Sequence, residues 1–286
     1  MRIKARLDPG KTALVTGGSS GIGKAIACGL AERGLHVWLL AQRQELLDSA
    51  RIEVETHRQN QAQAIRAISA DVSDLDQVRL AVRQILDQAV PPDILINSAG
   101  VSHPGYIQEL DIQVFQWMMA VNYFGTVYMT KEILPAFLEK GSGYIVNVSS
   151  LAAIYSYIGY TAYGASKFAV RGFSDALRSE MRLHNIGVSI VYPTDTDTPQ
   201  LEYENRFKPP ETKALGNLGG SMMPGAVASA ILKGIERGQY QVIPGLEGKF
   251  WYLVDRLFGV GLKNMVIDQI IASEAKKKNS VHPKEA

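Results

Sequence analysis

The chain has 286 residues, 46% of them hydrophobic and 20% charged, with a formal net charge of +2. That length can bury a full core, the composition is that of an ordinary globular protein, and the small charge excludes the basic footprint of a nucleic-acid binder. A lone cysteine, Cys28, excludes an internal disulfide and fits a reducing, cytoplasmic setting. The first nine residues lack a signal-peptide core, and no apolar run reaches the ~18 residues of a spanning helix.

In chain order, a short apolar strand at Thr12 to Val15 runs into Gly17-Gly18-Ser19-Ser20-Gly21-Ile22-Gly23, and a helix follows to about Arg33. Strand, glycine loop and helix in that order let backbone N–H groups and a helix N-terminus face a pyrophosphate. A second strand, His36 to Leu40, ends in Ala41-Gln42-Arg43. Sites that prefer NAD place a carboxylate there for the ribose 2′-hydroxyl; an arginine with no acid suits a 2′-phosphate and hence NADPH. The alternative is an exposed arginine opening the next helix. A helix is predicted from Glu45 to Asn60, and a strand from Ala64 to Ala70 closed by Asp71-Val72. Another helix runs from Leu75 to Ala89, and a strand at Ile94 to Ile96 leads into Asn97-Ser98-Ala99-Gly100. Helical stretches from Asp111 to Val121 and on to Lys140 enclose Asn122, which is either structural or holds a water.

The run Tyr144 to Ser149 reads as a buried strand that delivers the Ser150 hydroxyl at its carboxyl end. Thirteen residues on, Tyr163 and Lys167 are four apart in a helix predicted over Ala162 to Leu177, so both side chains share a face. An ammonium beside a phenol is expected to lower the tyrosine pKa and prepare it for proton transfer to or from an oxygen. Alone, this spacing is an ordinary helix face; beside a dinucleotide site it is chemistry. A strand at Gly187 to Tyr192 ends in Pro193-Thr194. Strands therefore alternate with helices, the pattern of an α/β doubly wound parallel sheet of the Rossmann type. The glycine loop, Arg43, Asp71, Asn97, Ser150 and Thr194 all fall at strand carboxyl ends, where such sheets bind ligands.

Residues 200 to 223 break the alternation and read as a mobile polar excursion, a lid. A helix at Ala226 to Arg237 and a strand at Gln241 to Pro244 follow. From Lys249 to Ala275 an amphipathic helix or helix pair carries Phe250, Trp251, Tyr252, Val254, Leu257, Phe258, Met265 and Ile267, and an irregular tail begins at Lys276-Lys277-Lys278. The chain is thus divided into a Rossmann-type domain, 1–248, and a helical extension, 249–286.

These pieces resemble the short-chain dehydrogenase/reductase family over about residues 10 to 245. The resemblance rests on Thr16-Gly17-Gly18-Ser19-Ser20-Gly21-Ile22-Gly23, Asp71, Asn97-Ser98-Ala99-Gly100, Asn122, Ser150 and Tyr163-x-x-x-Lys167. It implies a tetrad of Asn122, Ser150, Tyr163 and Lys167, with Tyr163 as general acid, Ser150 on the substrate carbonyl, Lys167 on the nicotinamide ribose and Asn122 holding a relay water. It further implies NADPH/NADP+ held by the glycine loop, Arg43, Asp71, Val72, Asn97, Ala99, Gly100, Pro193, Thr194, Thr196 and Thr198, together with Tyr163 and Lys167; no metal is expected. Pro193-Thr194 departs from the family's usual Pro-Gly, which bears on the local backbone path. The second half, from Thr161 to Ala169 and from Tyr192 to Pro199, with Glu204-Asn205-Arg206 and Lys208-Pro209, is similar to the 3-ketodihydrosphingosine reductase branch.

That similarity implies reduction of a long-chain lipid ketone, a homo-oligomer (dimer or tetramer), and a cytoplasmic protein that reaches a membrane peripherally through its C-terminal helix. The competing occupant of that helix is the core or a second subunit. Asp195, Asp197, Glu202 and Glu204 are candidates to meet a substrate amine. Two other functions compete: a sister reductase for a 3-oxoacyl thioester, steroid or retinoid, and a non-catalytic NADPH-binding redox sensor.

Overall fold

The computed structural model describes residues 2–88, 91–216 and 220–281, without the side chains of residues 258–260, 262, 263, 266 and 274–281. Ala89, lid residues 217–219, the last tail residues 282–286 and the side chains of Phe258, Lys263, Lys276, Lys277 and Lys278 therefore lie outside the described residues.

Seven strands form one sheet: β1 (Thr12–Thr16), β2 (His36–Ala41), β3 (Ile65–Ser69), β4 (Ile94–Asn97), β5 (Gly143–Val148), β6 (Ile186–Val191) and β7 (Gln241–Val242). Their order is β3-β2-β1-β4-β5-β6-β7, and every pairing is parallel. The order reverses between β1 and β4, so a crevice opens at their carboxyl ends. Both faces are covered, which is why β1, β4 and β6 are buried at every residue instead of alternating. One face packs on α1 (Gly21–Ala31), α2 (Gln44–Thr56) and α9 (Pro224–Glu236). The other packs on α3 (Leu75–Gln88), α5 (Gly125–Lys140) and α6 (Thr161–Met181). Between α3 and α5 lies α4 (Ile112–Met118), which passes into a π-helical segment, Met119–Phe124. Strand β7 stops at Val242, short of the predicted Pro244, since proline has no N–H for the ladder.

Two expectations change. The segment read as a mobile lid contains two helices, α7 (Pro199–Phe207) and α8 (Pro210–Gly216). Its prolines are helix starters, because a residue at the first turn needs no N–H donor. The Thr198 hydroxyl caps α7 by accepting from Leu201 N at 3.3 Å. The segment is tied to the body by Tyr106 Oη donating to Glu211 at 2.6 Å and Thr212 Oγ1 donating to Ile158 O at 2.9 Å. The C-terminal stretch is one helix, α10 (Leu246–Val281), which begins before Lys249 and continues past Lys276, where an irregular tail was expected. Ala272 to Lys278 contains mostly good helix formers, so nothing local stops it. Its first turns belong to the body: Tyr252 packs with Leu151, Ile154, Ile190 and Tyr192, and Tyr252 Oη donates to Gln241 at 2.6 Å.

Candidate active site

The strand tips are held level by cross-links. Thr16 Oγ1 accepts from Ser98 N at 3.0 Å and Ala99 N at 3.1 Å, which pins the β4 exit against the end of β1. Ser149 N donates to Val191 O at 2.9 Å, and Leu151 N to Pro193 O at 3.0 Å, which joins the β5 and β6 exits. Above these tips lies one cavity of about 450 Å³.

At its first end the wall is main chain. Gly17 has φ +65°, and a Cβ there would lie 2.8 Å from Ala99; a Cβ at Gly23 would lie 2.3 Å from the Gly17 carbonyl oxygen. Only glycine permits that turn and that helix–strand approach. Ser19, Ser20, Gly21 and Ile22 complete this edge. Arg43 lines the cavity with no ion pair among the described residues, and Asp71 and Val72 close that end. The Asp71 carboxylate accepts from Ser73 N at 2.8 Å, Ser73 Oγ at 2.7 Å and Gln42 Nε2 at 2.9 Å. Ala99, Gly100, Pro193, Thr194, Thr196 and Thr198 line the middle. Thr194 Oγ1 is buried with no hydrogen-bond partner among the described residues, an orphan that a ligand amide would satisfy.

At the other end Ser150, Tyr163 and Lys167 converge on the cavity. Ser150 Oγ accepts from Ala152 N at 3.1 Å, and Ser150 acts on the Tyr163 phenol to lower its pKa. Lys167 Nζ donates to Val148 O at 3.2 Å and lies 5.7 Å from the Tyr163 ring centroid. The expected direction of the tyrosine shift is reversed. Burial above all, then the Glu204 charge, push the Tyr163 phenol well above its ordinary value, with the Ser150 hydrogen bond opposing. Burial lowers Lys167 to about 8, against the raising pull of Glu204. The phenol is thus held protonated, the form a proton donor needs.

Two predicted site residues do not line the cavity. Asn97 is 3% exposed and turns into the core, donating to Thr130 Oγ1 at 3.1 Å and Asn147 Oδ1 at 2.9 Å. Asn122 accepts from Val101 N at 2.8 Å and donates to Val101 O at 2.9 Å and Ser166 Oγ at 2.8 Å. It therefore clamps the β4 exit to α6. Its Oδ1 and Lys167 Nζ each lie 3.3 Å from the position of a Cβ on Gly100, so both border the space that this glycine leaves open.

Sequence reading missed a ladder of tyrosines. Ring centroids of Tyr163 and Tyr160 are 5.6 Å apart, Tyr160 and Tyr157 5.3 Å, Tyr157 and Tyr155 6.3 Å, and Tyr155 and Trp251 of α10 6.3 Å. The density of tyrosines just before the α6 helix was the available signal.

A family model for short chain dehydrogenases matches residues 11–208. The chain belongs to the short-chain dehydrogenase family. A 3-ketodihydrosphingosine reductase of Mus musculus is 39% identical over 241 residues, covering 84% of this chain and 73% of the relative. A 3-dehydrosphinganine reductase of Danio rerio is 40% identical over 240 residues, covering 84% of this chain and 72% of the relative. A solved short-chain dehydrogenase from Sphingobium yanoikuyae in complex with NADPH matches with a TM-score of 0.74 at 26% identity, over 90% of this chain and 95% of that one. The seven-stranded sheet is thus the short-chain dehydrogenase fold, and the protein is an oxidoreductase of that family. The glycine cradle, and the Thr194 hydroxyl and Arg43 guanidinium left without partners among the described residues, fit the dinucleotide such oxidoreductases use.

Proposed function

We propose that this short-chain dehydrogenase reduces the 3-keto group of a long-chain sphingoid base, converting 3-ketodihydrosphingosine to dihydrosphingosine with NADPH. One observation carries the reading: the aromatic ladder from Tyr163 to Trp251, which walls a path for an alkyl chain from the proton donor to α10. The names of the mouse and zebrafish relatives support the same ketone.

Bound NADPH supplies the hydride to the carbonyl carbon. The Tyr163 hydroxyl gives its proton to the carbonyl oxygen, so the ketone becomes an alcohol. Ser150 Oγ, oriented by Ala152 N, is the second hydrogen-bonding group on that oxygen. Lys167 holds the nicotinamide ribose and faces the developing phenolate with positive charge. Asn122 Oδ1 and Lys167 Nζ border the route by which a water restores the proton. Arg43 binds the 2′-phosphate, and Asp71 and Val72 hold the adenine end. Thr194 Oγ1 meets the carboxamide, and the Asn97 side chain acts only by fixing the β4 exit. The lid lies within about residues 200–223.

Among the described residues no helix is long and apolar enough to cross a membrane. In this reading a cytoplasmic homo-oligomer meets its lipid through α10. Leu246, Phe250, Leu253, Leu257 and Met265 are all exposed at helical spacing, an apolar row suited to a headgroup boundary. Phe124 and Phe168 are exposed on another flank, which a second copy would cover. A sister reductase acting on 3-oxoacyl thioesters would need no such ladder.

The substrate test is a side-by-side assay of 3-ketosphinganine and acetoacetyl thioester with NADPH. The expected result is a kcat/KM for the sphingoid ketone at least about tenfold higher, with dihydrosphingosine as product. Equal or reversed preference overturns the substrate. For the membrane role, intact protein is expected to float with anionic vesicles at low salt and Phe250→Glu/Leu257→Glu to stay in solution. Flotation of neither assigns that face to another subunit.

A further inference from the structure

Of the four acids that could meet a substrate amine, Asp197 and Glu202 are exposed, whereas Asp195 and Glu204 line the catalytic cavity. Glu204, on the inner face of α7, is 6% exposed. Both its oxygens are aimed by neutral donors: Tyr160 Oη donates to Oε2 at 2.8 Å, and Gln200 Nε2 to Oε1 at 2.9 Å. The one cation paired with it among the described residues, Lys208, is shared: its Nζ lies 3.1 Å from Asp195 Oδ2 and 4.0 Å from Glu204 Oε2. Two carboxylates around one ammonium leave an excess negative charge beside the cavity. A buried carboxylate without a full counter-charge is costly, so a persistent one needs a reason.

Its position supplies the reason. Tyr160 holds Glu204 with its hydroxyl and stands one ring, 5.6 Å, from Tyr163. The Glu204 charge acts on Tyr157, Tyr160, Tyr163 and Lys167, all cavity-lining groups. Tyr157 and Tyr160 meet edge to face at 5.3 Å on the same wall. A carboxylate among aromatic rings is a receptor for an ammonium, by ion pairing and by cation–π attraction.

We propose that Glu204, presented by Tyr160, is the specificity residue that recognises an amine on the carbon next to the substrate ketone. This rests on the sphingoid-ketone reading and deepens it. In a 2-amino-3-ketone the nitrogen is bonded to the carbon adjoining the carbonyl, so a ketone oxygen held at Tyr163 carries the amine to the neighbouring wall. A 3-oxoacyl thioester, a steroid and a retinoid carry no such amine and gain nothing from Glu204.

The test compares 3-ketosphinganine with a 1-hydroxy-3-ketone of equal chain length lacking the amine, in wild type, Glu204→Gln and Tyr160→Phe, all with NADPH. Wild type is expected to prefer the amine substrate. Glu204→Gln should lose roughly 10- to 100-fold in kcat/KM on the amine substrate, mostly through KM, and much less on the deamino ketone. Tyr160→Phe, which removes one hydroxyl, should shift the preference the same way by a smaller factor and decides the matter if Glu204→Gln does not fold. Equal losses on both ketones, or an unchanged preference in the folded variants, overturn the amine role while leaving the proposed reduction intact. Wild-type turnover of the deamino ketone but not of 3-ketosphinganine overturns the substrate reading itself and this inference with it.

Discussion

At the nucleotide end the cavity wall is the chain itself: a glycine loop at φ +65°, a helix start, and strand tips held by Thr16. At the substrate end the wall is side chain, gathered from the β5 exit, α6, the lid and α10. The first end is built mostly of main chain, with Arg43 and Asp71 as its charged groups. The second is assembled across the chain and electrically loaded, with Glu204 of α7 and Asp195 after β6 acting on Tyr163. A backbone cradle accepts one ligand for a whole family, whereas a side-chain wall can be rebuilt for each substrate. In the proposed reading, the wall that meets the substrate also adds its charge to the effect of burial on Tyr163.

Lys167→Met separates the chemical burden of the second end from its stability. Turnover is expected to fall by about 10²-fold or more, as for loss of a group that serves the proton transfer. The cofactor-free fold should gain. Burial lowers Lys167 from 10.5 to about 8, a penalty on the order of 3 kcal/mol for the charged form. Leaving Val148 O without its donor returns about 1 kcal/mol of that. Because the folded pKa lies below the unfolded one, the penalty is complete below about pH 8 and fades as pH rises from about 8 to 10.5. Thermal melts should therefore show the variant several degrees above wild type at pH 7, with the gap narrowing by pH 9.5. A variant that melts lower at pH 7 would mean that the ammonium is compensated in the folded protein.

Arg43→Ala probes the first end. The ratio of kcat/KM for NADPH over NADH is expected to drop roughly 10- to 100-fold, carried by KM, with turnover at saturating NADPH unchanged. An unchanged ratio would make Arg43 a surface residue and place the phosphate elsewhere.

The contrast between the two ends also decided what the sequence disclosed. The glycine loop, the strand exits and the Tyr163–Lys167 pair are short-range patterns whose geometry follows from one strand or one helix. Asn97 was correctly placed at a strand tip, but alternation in a strand buried on both faces does not say which way its amide points. Residues 200 to 223 read as an irregular excursion because they are polar and rich in Pro and Gly, although Pro199 and Pro210 begin helices. Glu204 was one of four equivalent acids until α7 turned it inward and left Glu202 in water. The raised Tyr163 pKa escaped for the same reason: its causes are burial and a charge supplied from α7, neither of which is local. The tyrosine ladder has no helical or strand period to reveal it, and its last ring comes from α10.

The account centres on Tyr163 as the proton donor in a site whose other groups hold, aim or charge-balance the reactants. The most direct test is Tyr163→Phe, which removes one oxygen and keeps the ring beside Tyr160. Single-turnover reduction of 3-ketosphinganine with saturating NADPH should slow by about 10²- to 10⁴-fold, while the NADPH dissociation constant, read by fluorescence, stays at the wild-type value. A rate within about tenfold of wild type, with cofactor binding intact, would contradict the assignment and require another acid in the cavity.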